Sequence, residues 1–104
     1  MRVKDYPREI HFRDLVYNLR FVSKKEMKKV AGGECLGLYD QAVETIYLLR
    51  GQTPRDTLET CVHELLHLLE IEGEIPALTH PVINKLEVAI TDLLIDNGWV
   101  RWRG

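Results

Sequence analysis

Five consecutive residues, His63-Glu64-Leu65-Leu66-His67, have the types and spacing needed to bind a metal ion and activate water. Positions i and i+4 of an α-helix lie on one face, so the two imidazoles can bind a single zinc ion. Glu64 projects about 100° around the helix and can act as a general base toward a zinc-bound water. The motif therefore supplies two ligands and a base.

A third protein ligand is expected, because catalytic zinc usually has three and keeps one position for water. Glu87 lies on a later predicted helix, at the edge of its apolar face. A carboxylate there is partly desolvated, and zinc would compensate its charge. We predict Glu87 as the third ligand, with His80 at the start of the same helix as the alternative. Asp92 lies on the opposite side and is a poor substitute.

Four segments have the residue types of strands, and they pair in sequence order. They cover residues 9–12, 15–22, 34–39 and 42–49. The dipeptides Arg13-Asp14 and Asp40-Gln41 would form the two turns between them.

Three helices should position the motif: a short one between Ser23 and Gly32, a long one from about Pro54 to Ile71, and a second long one from residues 79–81 to about Asn97. Ser23 and Thr53 have the side chains of N-caps, and Gly32 has the freedom needed at a helix end. Strands precede the long helices, which predicts an α+β fold. A small antiparallel or mixed sheet would pack on the motif helix and on the second long helix.

The bulk properties predict one domain over residues 1–104, with 99–104 as a C-terminal tail. A formal charge of −2 gives no electrostatic reason to expect a nucleic-acid partner. No apolar run reaches the roughly 18 residues of a membrane span, and the first residues lack the apolar region of a secretory signal. We predict a cytoplasmic protein without membrane partners.

The zinc motif followed by Glu87 resembles the gluzincin clan of zinc peptidases. The similarity extends over about residues 35–97 to the small, single-domain minigluzincins of archaea, bacteria and phages. Three upstream segments carry it: Gly37-Leu38-Tyr39-Asp40, Thr45-Ile46-Tyr47-Leu48 and Thr57-Leu58-Glu59-Thr60.

This resemblance implies a minimal zincin-like fold and zinc-dependent hydrolysis of peptide bonds. His63, His67 and Glu87 would bind Zn²⁺, and Glu64 would serve as base and acid. The strand over residues 44–49 would form the upper rim of the cleft and pair with an extended peptide or protein substrate.

Larger gluzincins also place a tyrosine or histidine across the zinc to stabilise the oxyanion. No motif identifies that residue here, and His80, Tyr39 and Tyr47 are the candidates. An alternative function is therefore a zinc-binding regulatory or interaction protein with little or no turnover. A third hypothesis is a domain that binds no metal.

The tail interleaves two tryptophans with two arginines, at Trp99, Arg101, Trp102 and Arg103. One or both of the tryptophans are predicted to pack on the core. The alternative is that the tail occupies its own cleft or a neighbour's, since the resemblance implies latency through a terminal segment and self-association.

The remaining polar and sulfur-containing residues have simpler interpretations. Cys35 and Cys61 are predicted to be small buried hydrophobic residues, and His11 a surface or cross-strand residue. A lysine cluster on the short helix is predicted to be a solvated face rather than a nucleic-acid site. Its members are Lys24, Lys25, Lys28 and Lys29.

Overall fold

The structure, a computed structural model, describes residues 6–99 as a four-stranded sheet with three helices. In chain order the elements are β1 (Glu9–Phe12), β2 (Leu15–Val22), α1 (Lys24–Ala31), β3 (Gly37–Asp40), β4 (Thr45–Leu49), α2 (Pro54–Ile71) and α3 (His80–Asp96). The α+β class is confirmed.

The first hairpin has the predicted strand bounds. β1 and β2 are antiparallel, with Phe12 opposite Leu15 across the turn. Arg13 takes the positive φ of 56° that this two-residue turn requires. Glycine would adopt this conformation with less strain, so the turn forms with an unfavourable residue.

The second hairpin differs from its predicted bounds. Asp40 pairs with Thr45, so the turn contains four residues, 41–44, rather than Asp40-Gln41 alone. The Asp40 side chain accepts a hydrogen bond from the Ala42 N–H at 3.1 Å, and Glu44 has a φ of 46°. A side chain that closes its own turn displaces the strand ends, and this explains the error in the prediction.

The sheet order is β1-β2-β4-β3, which makes β4 an interior strand. It is parallel to β2 and antiparallel to β3. Residues 44–49 were predicted to form an open rim, yet both sides of β4 are hydrogen-bonded to neighbours. Within residues 6–99, the outer strand at this end of the sheet is β3.

Helices α1 and α2 begin as predicted. The Thr53 hydroxyl accepts from the Asp56 N–H at 3.1 Å, which caps α2, and Pro54 occupies its first turn. In α1, the Ser23 hydroxyl accepts from the Glu26 N–H at 3.2 Å, and Gly32 ends the helix with a φ of 76°. These contacts satisfy backbone groups that lack partners inside the helix.

Helix α2 lies between the sheet and α3. One side of it packs on the sheet in a core of Tyr17, Leu19, Ile46, Leu48, Cys61 and Leu68. The other side contacts α3 through Leu58, Val62, Leu66 and Ile83. On the opposite sheet face, α1 buries Val22, Met27 and Tyr47. Apolar contacts on two sides thus hold α2 in place.

Trp99 is 66% exposed and does not pack on the core, so the prediction that one or both tryptophans do so now depends on Trp102. Residues 100–104 lie outside the described residues, and with them the rest of the predicted tail. Within residues 6–99, none of the helices combines the length and apolar character needed to span a membrane.

Candidate metal centre

Two imidazoles of α2 face each other across a short gap. The Nε2 atoms of His63 and His67 are 3.1 Å apart, and their ring centroids are 4.8 Å apart. The i, i+4 spacing on the α2 helix produces this approach, as the motif predicts. Both side chains are partly buried, so water solvates them only in part.

The Nδ1 atom of each ring contacts a carboxylate. His63 Nδ1 lies 3.2 Å from Glu87 Oε1, and His67 Nδ1 lies 3.1 Å from Glu70 Oε1. A carboxylate accepts hydrogen bonds, so each Nδ1 carries the proton in these contacts. In the neutral rings both Nε2 lone pairs then point at one another, an arrangement that a cation between them would stabilise.

His80 completes a three-histidine group. Its ring centroid lies 4.8 Å from that of His67 and 5.8 Å from that of His63. One ring nitrogen from each histidine lies within 4.8 Å of the other two. Zinc–nitrogen bonds of about 2.0–2.1 Å suit such a spacing after small side-chain rotations, so the donor set fits a divalent cation.

Glu87 lies outside the three-histidine group and contacts it only through the Nδ1 atom of His63. Both candidates for the third ligand project from α3 toward α2, since His80 and Glu87 are two helical turns apart. His80 contributes a nitrogen to the group, whereas Glu87 contacts the nitrogen that faces away from it.

Glu64 is the buried carboxyl group of the site, with 7% of its surface exposed. Burial raises its pKa to about 7, against the opposing effects of His63 and of a hydrogen bond from the Tyr39 backbone N–H. The nearby charge of Glu87 raises the pKa of Glu64 further. A group with a pKa near 7 can both accept and release a proton under ordinary conditions.

Gly37 lets β3 approach Glu64 closely. A Cβ at this position would lie 2.6 Å from Thr60 Cγ2 and 3.1 Å from the Glu64 side chain. Only a residue without a side chain fits that gap. No local sequence pattern assigns Gly37 this role, because the contact depends on how a strand and a helix meet.

The histidines open into a cleft of about 590 Å³ between α2, α3 and β3. Its walls include Cys35, Gly37, Tyr39, Glu64, Glu70 and Ile71. Cys61 is buried as predicted, but Cys35 is exposed, so its predicted burial is wrong. Cys35 precedes β3 on an irregular segment, where strand alternation does not apply.

The three candidates for an oxyanion donor have other contacts. The Tyr39 hydroxyl lies 3.0 Å from the Tyr17 hydroxyl and 3.3 Å from Glu72 Oε1. Tyr47 is buried on the α1 face of the sheet, and His80 belongs to the histidine group.

Other residues lie away from the cleft. His11 is exposed as predicted, and its ring contacts Glu9. The four lysines of α1 are also exposed, as predicted.

No protein-family model, curated protein or solved structure matches this chain.

Proposed function

We propose that this protein is a zinc-dependent hydrolase of peptide bonds, with His63, His67 and His80 as ligands and Glu64 as base. The observation that carries the proposal is the pair of Nε2 atoms 3.1 Å apart, with a carboxylate behind each Nδ1. Without a cation or a shared proton, two facing lone pairs repel each other. Glu87 is the alternative third ligand.

Bound zinc would supply Lewis-acid activation of the attacking water and of the scissile carbonyl. Glu64 accepts one proton from the water while the water oxygen bonds to the carbonyl carbon. Glu64 then donates that proton to the amide nitrogen, and the C–N bond breaks. The products are one carboxyl group and one amine, and Glu64 returns to its starting state.

We propose that an extended peptide pairs with β3 rather than with residues 44–49. The Leu36 carbonyl accepts from the Leu49 N–H, so alternate residues Gly37 and Tyr39 turn their backbone groups away from β4. The Tyr39 N–H bonds to Glu64, and the other outward-facing groups border the cleft, where an added strand would lie next to Glu64. We also propose that the fold is a minimal zincin-like fold. We expect the protein to act in the cytoplasm.

One observation favours a second candidate, a zinc-binding regulatory protein with little turnover. Tyr39 and Gln41 both line the cleft, but the Tyr39 hydroxyl and the Gln41 amide both have Glu72 as a partner. Oxyanion stabilisation is often a large part of such catalysis, so a weak donor would lower the rate.

The deciding experiment combines metal analysis with a peptide-hydrolysis assay on the wild type and on Glu64→Gln. We expect one zinc per chain in both proteins, and turnover that falls at least about 100-fold in the variant. Glu59→Gln is the control on the same helix, since Glu59 pairs with Arg55. Equal turnover in Glu64→Gln and the control would refute the role of Glu64. Zinc without turnover in the wild type would favour the regulatory protein.

A further inference from the structure

We propose that Glu72 is a positioning residue that anchors the edge strand β3 beside Glu64, through the hydroxyl groups of Tyr17 and Tyr39. This inference rests on the proposed function for its catalytic consequence. The anchoring contact lies at the end of α2, outside the histidine group and its two orienting carboxylates.

Three donors converge on one oxygen of Glu72. Its Oε1 accepts from the Tyr17 hydroxyl at 2.7 Å and from the Gln41 amide at 3.0 Å, and it lies 3.3 Å from the Tyr39 hydroxyl. Donation by these groups lowers the pKa of Glu72, so the carboxylate is the favoured form. The donors come from β2, β3 and the turn after β3.

The two tyrosines form a rigid pair. Their rings stack with centroids 5.4 Å apart and planes inclined by 22°, and Tyr17 is 1% exposed. The hydroxyl oxygens are 3.0 Å apart, so the single Tyr39 proton bonds either to Tyr17 or to Glu72. In both arrangements the Tyr39 ring is fixed between β2 and the end of α2.

Tyr39 connects this anchor to the catalytic base. Its hydroxyl contacts Glu72, and its backbone N–H donates to Glu64. β3 has four residues and, among residues 6–99, a single strand neighbour. At Gly37 it contacts α2 without a side chain of its own. Such a short edge strand needs an additional tether, because few backbone hydrogen bonds hold it.

The test compares Glu72→Ala with Glu59→Ala, which removes a partly exposed carboxylate from α2 that pairs with Arg55. In Glu72→Ala we expect amide hydrogen exchange over residues 37–40 to accelerate about tenfold and kcat to fall about tenfold. Zinc affinity should stay within about threefold of the wild type, because the partners of Glu72 are Tyr17, Tyr39 and Gln41 rather than the histidines. Glu72→Gln keeps an acceptor oxygen and should restore most of both losses.

Tyr39→Phe provides a second variant, because it keeps the ring and removes only the hydroxyl. It should also show faster exchange over residues 37–40 and a lower kcat with unchanged zinc affinity. A general loss of stability would not produce this combination. If amide exchange over residues 37–40 is no faster in Glu72→Ala and Tyr39→Phe than in Glu59→Ala, the inference is overturned. If the zinc-bound wild type hydrolyses nothing, the proposed function fails, and the exchange measurement alone decides whether Glu72 anchors β3.

Discussion

At the scale of single residues, the partner of each histidine Nδ1 determines whether the Nε2 atom of the same ring is free to bind a metal. Glu87 and Glu70 each hold one histidine Nδ1, so the opposite Nε2 carries a lone pair. Glu70 follows His67 by three residues and shares its helix face, a spacing visible in the sequence. The role of Glu87 depends on where α3 lies along α2, which no local pattern specifies.

His80→Ala and Glu87→Gln distinguish the two assignments of the third ligand. If His80 binds zinc and Glu87 orients His63, Glu87→Gln should weaken zinc binding about 10- to 100-fold, and His80→Ala should weaken it more. Competition with a chelating dye measures both affinities. Asp92→Asn is the control on α3, since Asp92 pairs with Arg55. A larger loss in Glu87→Gln than in His80→Ala would make Glu87 the ligand.

At the scale of elements, the contact between β3 and α2 determines where Glu64, the proposed base, lies. Gly37→Ala introduces a Cβ 2.6 Å from Thr60 Cγ2, so the Thr60 side chain or one of the two elements must shift. We expect a loss of about 1–3 kcal/mol in the free energy of unfolding, measured by urea denaturation. Hydrolysis should fall too, because the same Cβ approaches Glu64.

Two matched variants sharpen this test. Gly33→Ala adds the same methyl group where nothing lies within 4 Å, so it should leave stability nearly unchanged. Thr60→Ser removes the methyl group that clashes and should recover part of the loss when combined with Gly37→Ala. No difference between Gly37→Ala and Gly33→Ala would contradict the close approach.

Local signals predicted the helices better than the sheet. Thr53 and Ser23 are N-caps, and caps are properties of neighbouring residues, so the starts of α1 and α2 were correct. The parallel pairing of β2 with β4 joins distant segments and depends on how α1 returns the chain to the sheet. The strand predicted as the rim is thus an interior strand over Thr45–Leu49. The apolar run Thr45–Leu49, buried at four of five positions, fits that location.

At the scale of the whole molecule, the histidine group joins α2 to α3. His63 and His67 lie on one helix and His80 on the other, next to the apolar contact between Val62 and Ile83. A ligand that binds only the folded chain stabilises it by an amount set by its concentration relative to its Kd. Zinc bound across the two helices would therefore resist their separation.

Zinc should accordingly raise the thermal stability of this protein. At a free concentration about 100 times its Kd, the expected gain is about 2.7 kcal/mol, or roughly 10 °C in the unfolding temperature of a domain of this size. Differential scanning calorimetry with zinc, and then with excess EDTA, measures the gain and its reversal. His80→Ala separates two cases: binding across both helices predicts that most of the gain disappears, whereas binding by α2 alone predicts that it persists. A gain that survives in the double variant His63→Ala/His67→Ala would place the zinc elsewhere and contradict the proposed centre.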